Sequence, residues 1–333
     1  MRLLGFVSIL LLLSAPLFGA TRLRQMAIID LPGQPGFDSV AIANGHLLVA
    51  HSATDSVDIF DLAKRRVIAQ VKHVRRASGI AVDEKGNRVF LSSPDKQSIV
   101  VISGETWDVE GVIPVQSEVE RILYVPETNR LYLANSRDQS IGYLDLANDN
   151  TVKKVDANGM PERMAFDPAK NLIYATLEDK HAIGVYDLDL KPVAQWTLKA
   201  SQPTGLAFDA AARRLYVAVR YAIVTLDADS GAELSRIGAP AGVDSLWFDH
   251  AGNTLYAASG GTVSILKTRE GGLTREAELN VEVRGHSLAY DPNTKLIYIP
   301  GGREGRSKLL ILKPLQGTAV ANLPNSAKTS EGQ

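Results

Sequence analysis

The residues of this chain that are best suited to bind an anion form two Glu-Arg pairs. Glu120-Arg121 and Glu162-Arg163 stand 42 residues apart. Guanidinium groups bind carboxylate and phosphate oxygens in a bidentate geometry, so two neighbouring arginines can hold such a group. The alternative is that each arginine pairs with a neighbouring glutamate, because the acids are so close. The pairs therefore predict either an anion site or a set of internal ion pairs.

Two histidines add the residue types needed for metal binding or proton transfer. His286 and His51, together with a carboxylate such as Asp38, could bind a divalent metal or act as a general base. Either histidine could equally be a plain hydrogen-bonding group. The catalytic candidates are therefore His286, His51, Glu120, Arg121 and Arg163. The chain has no GxSxG, HExxH or dinucleotide-binding motif, and Gly301–Lys308 lacks the Gly-Lys-Ser/Thr ending of a phosphate loop.

These residues are spread along a chain that repeats one pattern seven times. Each copy has a short opening strand, a strand–loop–strand hairpin such as 130–146, and a polar fourth strand. The opening strands begin every 40–42 residues, at Ser39, Gly79, Arg121, Arg163, Gly205, Ser245 and Ser287. A fixed period of this length without helical patterning predicts an all-β, seven-bladed β-propeller with four antiparallel strands in each blade.

The last copy lacks a fourth strand of its own, and the chain offers a replacement at its other end. Gln25–Leu31 reads as a strand that precedes the first blade. We expect it to pair with the 308–313 strand and close the ring, three strands from the C-terminal part and one from the N-terminal part. The predicted domain is 21–315, preceded by a signal segment at 1–20 and followed by a disordered tail at 316–333.

A propeller brings equivalent positions of every blade to the rim of one central channel. The residue before each opening strand, its successor and the hairpin loops should meet there. The predicted ligand-binding rim consists of Asp38, His51, Glu120, Arg121, Asn135, Glu162, Arg163, Arg220, Asp244, His286 and Arg303. No cofactor is predicted, although a metal or a non-covalently held cofactor at this rim remains open.

The aspartates between the first and second strands of the blades have two interpretations. Asp83, Asp167, Asp249 and Asp291 each begin a short polar turn. Their carboxylates can accept hydrogen bonds from the turn amides, or several oxygens can converge on calcium. We expect the first arrangement, because the surrounding Pro, Gly and Asn residues are typical of turns.

Composition and the N-terminus limit where the protein works and what it binds. The chain has 333 residues, no cysteine and a formal net charge of −1, which disfavours nucleic acid as the partner. Arg2, the apolar run Leu3–Leu13 and Gly19-Ala20 have the build of a secretory signal. We therefore expect a periplasmic or secreted monomer with no membrane span after signal removal.

The best-formed copy, Leu131–Asp145, resembles the repeat of the YVTN β-propeller family, which includes the YncE-like exported proteins. Tyr132, Asn135 and Asp145 match its Tyr-Val-x-Asn strand end and its Asp-terminated second strand. The resemblance covers about 25–315 and implies the propeller fold, within the wider group of lactonase-type propellers. That group also includes the haem d1 domain of nitrite reductases and binding proteins without catalysis, so the resemblance leaves the activity open.

Three functional hypotheses follow. The first is a non-catalytic exported propeller that binds a protein partner or a small-molecule ligand at the rim. The second is a lactonase-like hydrolase, in which a rim histidine activates water and the arginines stabilise the oxyanion. The third is an accessory protein of periplasmic redox metabolism that binds a cofactor non-covalently.

Overall fold

The computed structural model of the protein describes residues 19–317. Most of the predicted signal segment, residues 1–18, and most of the predicted tail, residues 318–333, lie outside the described residues. Residues 19–20 and 316–317 extend the first and last strands. The described chain forms twenty-eight strands in seven four-stranded antiparallel sheets, as the repeat predicts.

The strands follow one another in the same order in each blade, from the channel outwards. Blade 1 has β2 (Val40–Ala43), β3 (His46–His51), β4 (Ser56–Asp61) and β5 (Arg66–Lys72), and blade 2 has β6 (Ile80–Asp83), β7 (Arg88–Ser93), β8 (Ser98–Ser103) and β9 (Val109–Pro114). Blade 3 has β10 (Arg121–Val125), β11 (Arg130–Asn135), β12 (Ser140–Asp145) and β13 (Thr151–Asp156), and blade 4 has β14 (Pro161–Asp167), β15 (Leu172–Leu177), β16 (Ala182–Asp187) and β17 (Pro192–Thr197). Blade 5 has β18 (Leu206–Asp209), β19 (Arg214–Val219), β20 (Ala222–Asp227) and β21 (Glu233–Gly238), and blade 6 has β22 (Ser245–Asp249), β23 (Thr254–Ser259), β24 (Thr262–Arg269) and β25 (Gly272–Asn280). Two single 3-10 turns, Ser52–Thr54 and Pro94–Lys96, complete the hairpin loops of blades 1 and 2.

Blade 7 is closed by the N-terminal strand, as the sequence predicts. It contains β26 (Ala289–Asp291), β27 (Leu296–Arg303), β28 (Arg306–Gly317) and, outermost, β1 (Gly19–Asp30). The register pairs Asp30 with Lys308 and Ile28 with Leu310. The innermost strands of blades 7 and 1, β26 and β2, also contact each other. Strand β28 is therefore paired on both sides, with β27 and with β1, and has no free edge over this length.

The core lies between the blades rather than in one central mass. Seven apolar clusters each combine side chains from two neighbouring blades. The second and third strands are buried on both faces, so they are continuous apolar runs, whereas the outermost strands alternate between exposed and half-buried residues. Phe90 and Tyr132 are examples of fully buried residues from the second strands of blades 2 and 3.

The turns between the first and second strands follow from their sequences. Asn87, Asn129, Asn171 and Asn253 occupy the same left-handed position, with φ between 47° and 54°. Asparagine tolerates this conformation better than most residues do. Asp83, Asp167 and Asp291 accept hydrogen bonds from the amides of their own turns, which confirms the turn interpretation at these three positions. Asp249 accepts none from its turn within residues 19–317.

The basic run 64–76 contains β5, the outermost strand of blade 1. Several of its charges are neutralised by acids: Lys64 pairs with Asp61 at 2.9 Å, and Arg75 pairs with Asp55 at 2.5 Å. Nowhere between residues 19 and 317 does a helix reach the length and apolar character that crossing a membrane requires.

Candidate ligand-binding site at the channel mouth

Seven equivalent residues, close to the start of the innermost strands, lie at one mouth of the channel. In blades 1, 3 and 5 the amides of Asp38, Glu120 and Thr204 donate to carbonyls of the second strand, at 2.9–3.0 Å. These bonds continue the strand pairing by one residue and so hold the side chains at the mouth. The corresponding residues of the other four blades are Ser78, Glu162, Asp244 and His286.

Arg121 forms a network of ion pairs that crosses the mouth. One terminal nitrogen lies 2.7 Å from Asp38, and the other lies 3.6 Å from Asp244 and 3.9 Å from Glu162. The same guanidinium donates to the hydroxyl of Ser78 at 3.1 Å, and that hydroxyl donates to Asp38. Only 11% of the Arg121 side chain is exposed. One cation therefore joins blade 3 to blades 1, 2, 4 and 6.

The network changes the proton affinities of its members. Burial alone would lower the pKa of Arg121, but Asp38, Asp244 and Glu162 outweigh it and raise that pKa above its usual value. Burial raises the pKa of Glu162 to about 7; Arg121 opposes this rise, whereas Asp244 and Glu120 add to it. Glu162 is therefore partly protonated at neutral pH. Ser136, whose hydroxyl lies 3.1 Å from the Glu162 carboxyl, holds it in place.

His286 and Asp244 form a second pair at the mouth. The Nδ1 of His286 lies 3.0 Å from a carboxylate oxygen of Asp244, and 44% of the histidine side chain is exposed. This hydrogen bond raises the pKa of His286, although burial opposes the rise. Burial would raise the pKa of Asp244, but His286, Arg163 and Arg121 together lower it. The sequence grouped His286 with His51 and Asp38; the structure instead pairs it with Asp244.

Arg163 occupies the position equivalent to Arg121 in the next blade, yet it has no partner. Its Nε and one terminal nitrogen are buried and unbonded, and no ion pair among residues 19–317 includes it. Burial and the neighbouring charge of Arg121 lower its pKa, against the attraction of Asp244, Asp38 and Glu162. Of the two predicted arrangements, Arg121 forms the internal ion pairs and Arg163 is left able to accept an anion.

The structure contradicts the rim positions of His51 and Asn135. His51 is fully buried, with one ring nitrogen 2.9 Å from Asp58 and the other 2.7 Å from the carbonyl of Gln34. Asn135 is 1% exposed and donates to Ser140 at 3.0 Å. Both residues end a second strand, and each side chain is buried and bonded to the third strand of its own blade rather than exposed at the rim.

Three further predicted rim residues lie at the mouth but outside the Arg121 network. Glu120 pairs with Arg76 at 3.1 Å. Arg220 is exposed and lies 5.4 Å from the ring of Tyr221, beside a cavity of about 320 Å³ that Thr204 also lines. Arg303 pairs with Glu282 at 2.8 Å. Ser136 was missed, although its place directly after the Tyr132–Asn135 strand end could have indicated it.

Metal coordination finds little support in this arrangement. Between residues 19 and 317, no group of three His, Asp or Glu side chains is spaced to hold a metal ion. The mouth presents arginines among its acids, and a cation at the Arg121 network would have to compete with that guanidinium for the same oxygens.

Comparison with known proteins identifies the fold but no activity. No protein-family model matches the chain, and no curated protein matches it. Among solved structures, 1582 chains match, a number that indicates a widely shared fold rather than a single function. One of them belongs to the crystal structure of a mitotic checkpoint complex, with a TM-score of 0.72, 14% sequence identity, and coverage of 94% of this chain and 98% of that chain. This chain is a seven-bladed β-propeller. At such low identity the propeller's likeness to that chain establishes the fold alone.

The raised pKa of Glu162 has a consequence for the stability of the propeller. The folded protein retains a proton on Glu162 up to about pH 7, whereas the ordinary value is 4.5. The free energy of unfolding should therefore fall as the pH rises from 4.5 to about 7, by up to about 3 kcal/mol, and level off above that. The variant Glu162→Gln should lack this decline, because its amide carries no titrating proton.

Urea denaturation of the two proteins between pH 4.5 and 8 measures this difference. His286 also titrates near this range, but it is present in both proteins and cancels in the comparison. Parallel stability curves for the wild type and Glu162→Gln would show that Glu162 does not hold its proton as described.

Proposed function

We propose that this protein is an exported propeller of the YVTN-repeat, YncE-like kind, which binds an anionic group of a partner or small ligand at the channel mouth. The repeat residues and the signal pattern support the family and the export. The propeller fold supports a binding scaffold, because its loops converge on one mouth. The observation that carries the proposal is Arg163, a cation at the mouth that forms no ion pair with any of the residues 19–317.

An anion would neutralise the positive charge of Arg163. The charge of Arg121 is already engaged by Asp38, Asp244 and Glu162. The same acids attract Arg163 from a distance, but none of the residues 19–317 forms an ion pair with it, and a buried charge without a contacting partner is costly. A carboxylate or phosphate oxygen beside Arg163 would remove that cost and could also accept a hydrogen bond from His286. The ligand is therefore expected to carry at least one carboxylate or phosphate group.

Protonation favours binding over general-base catalysis. Asp244 raises the pKa of His286, so the imidazolium form is more populated at neutral pH than for an ordinary histidine. An imidazolium donates to an anion but cannot accept the proton of a water molecule. We therefore place His286 in the site as a second cationic donor.

The His286–Asp244 pair nevertheless supports a second candidate, a lactonase-like hydrolase. A histidine oriented by a carboxylate is the usual arrangement of a general base, and Arg163 would be available for an oxyanion. Turnover of simple lactones by the wild type that is lost in His286→Ala, with the fold retained, would favour this reading over simple binding.

The anionic group could belong to a small molecule or to an acidic side chain of a protein partner. The solved structure described above is that of a mitotic checkpoint complex, and this supports a protein partner only by analogy of fold. The two sources share one chemistry at Arg163. They differ in size, because a small acid needs only the mouth whereas a protein would also cover the surrounding loops and protect them from hydrogen exchange.

A thermal-shift experiment with small anions tests the proposal. We expect at least one member of a panel of mono-, di- and tricarboxylates and inorganic phosphate to raise the Tm by about 5 °C at about 100 times its Kd. Arg163→Met should abolish the shift. Arg220→Met is the matched control, because Arg220 lies at the same face but outside the network, and it should retain the shift.

Two results would contradict the anion site. One is a panel in which no anion shifts the wild type, and the other is an equal shift in Arg163→Met. The mass of the protein isolated from the cell envelope, compared with the full-length mass, tests the export part separately, because removal of the signal segment shortens the chain.

A further inference from the structure

A second cavity lies between blades 6 and 7, at the end of the strands opposite the channel mouth. It measures about 540 Å³ and is lined by Asp249, Tyr256, Lys267, Tyr290, Lys295 and Leu315, among others. Asp249 and Asp291 end the innermost strands whose beginnings form the mouth, which places the cavity at the far face. Its size and its mixed apolar and charged lining are those of a ligand pocket.

Two of the other interfaces between neighbouring blades, here called seams, show how a peptide turn can fill this position, whereas at the blade 5–6 seam Tyr216 donates to Asp209 of its own blade. At the seam between blades 3 and 4, Tyr132 donates its hydroxyl to the carbonyl of Leu188 at 2.8 Å. At the next seam, Tyr174 donates to the carbonyl of Ala228, also at 2.8 Å. Both carbonyls belong to the turn between the third and fourth strands of the following blade. The tyrosine of one blade therefore holds a peptide turn of the next.

An acidic residue follows the carbonyl in both turns, and basic residues hold it. Asp189 lies 3.1 Å from Arg130 of the preceding blade. Asp229 lies 2.6 Å from Lys170 of the preceding blade and 2.5 Å from Arg213 of its own blade. Both of these seams thus bind the same short pattern, a residue whose carbonyl accepts the tyrosine hydrogen bond, followed by an aspartate.

Blade 7 cannot supply such a turn, because its fourth strand comes from the other end of the chain. β28 continues straight through Pro314 and Leu315, where the other blades turn. Tyr256, the counterpart of Tyr132 and Tyr174, consequently donates to no backbone carbonyl within residues 19–317. Its ring stacks on that of Tyr290 at 4.6 Å. The cavity is the space that the missing turn leaves.

One basic residue of those interfaces has a counterpart here, and a second lysine lies nearby. Lys295 occupies the position of Arg213, one residue before the second strand, with the same left-handed backbone. Lys267 lies on the preceding blade and donates to Gly252 and Thr254, which leaves one of its protons free. Lys295 is exposed and forms no ion pair with any described residue.

We propose that this cavity, the blade 6–7 seam site, binds an acidic peptide turn of a partner protein. The carbonyl of an apolar residue would accept from Tyr256, its side chain would pack on Ile265 and Leu315, and the following aspartate or glutamate would pair with Lys295 and Lys267. This site is independent of the channel mouth, because the turn that it would bind has the pattern that two other seams of the same ring already bind.

The chain itself provides the probe. A head-to-tail cyclised peptide containing residues 187–192, Asp-Leu-Asp-Leu-Lys-Pro, carries the turn that blade 3 recognises, held in a compact form to reduce its ordering cost. Its binding to the full-length protein is measured by calorimetry. The matched peptide replaces the second aspartate by asparagine. Lys85→Met, an exposed lysine in the corresponding turn of blade 2, is the control variant.

We expect the aspartate peptide to bind the wild type and Lys85→Met equally, and Lys295→Met about tenfold more weakly. The asparagine peptide should bind the wild type about tenfold more weakly, with little further loss in Lys295→Met. Tyr256→Phe should weaken both peptides by a similar factor of about five, because it removes one hydrogen bond to a carbonyl.

Three results would overturn the proposal. The first is no binding at millimolar peptide, and the second is binding that neither Lys295→Met nor Tyr256→Phe weakens. The third is binding that appears only after residues 318–333 are removed, because the cavity would then belong to the protein's own C-terminal segment rather than to a partner.

Discussion

Replacement of Arg121 by methionine should lower the free energy of unfolding by about 3–5 kcal/mol. The substitution keeps the length of the side chain but leaves Asp38, Asp244 and Glu162 facing one another without their shared cation. A loss of this size corresponds to a fall in Tm of about 5–8 °C for a domain of this length. Urea or thermal denaturation of the purified variant at pH 7 measures it.

Arg163→Met is the matched comparison, and it should act in the opposite direction. The same chemical change in the adjacent blade removes a cation that burial and Arg121 disfavour. We expect the stability without ligand to be unchanged or raised by about 1 kcal/mol. Equal destabilisation by the two substitutions would show that Arg163 is a structural residue and would remove the basis for the anion site.

Deletion of residues 21–31 should have the largest effect on the fold. It removes most of β1 and exposes the edge of β28 along blade 7. It also removes Met26, Ile28 and Ile29, which pack against the clusters on the two sides of that blade. Lost burial and strand pairing together should cost more than about 5 kcal/mol. We expect circular dichroism and thermal melting to show a Tm lowered by more than about 10 °C, or no cooperative transition.

Two controls make the deletion specific to ring closure. A chain that begins at Gly19 retains all of β1 and should melt at the wild-type temperature. A peptide of residues 19–31 added to the deleted protein should restore part of the lost Tm, because it can pair again with β28. A deletion variant that melts at the wild-type temperature would contradict the closure by β1.

The architecture could be read almost completely from the sequence, because each blade repeats the same local pattern. The alternation of turn residues and apolar strands determines four strands in each blade, and the constant period determines that the blades are equivalent. Gln25–Leu31 could be recognised as the closing strand because it alone had no blade of its own. The structure confirms this pairing with the last strand of blade 7.

The errors arose where a position in the repeat was taken as a direction of the side chain. His51 and Asn135 end the second strands, and the sequence placed both at the rim. Pairing with the third strand continues to the last residue, and both side chains are buried against that strand of their own blade. The predicted hydrogen bonds from the turn amides are also missing at Asp249 within residues 19–317. Its turn has the usual composition, but Asp249 lines the cavity at the seam between blades 6 and 7.

What the sequence determined by itself was therefore the closed ring of blades and, within it, the equivalent residues near the start of each innermost strand. Only the tertiary structure decided which of them pair. Arg121 and Arg163 stand in the same local motif, but the residue two blades earlier is Asp38 for Arg121 and the neutral Ser78 for Arg163. Contacts across a channel join residues far apart in the chain, and local patterning carries no information about them.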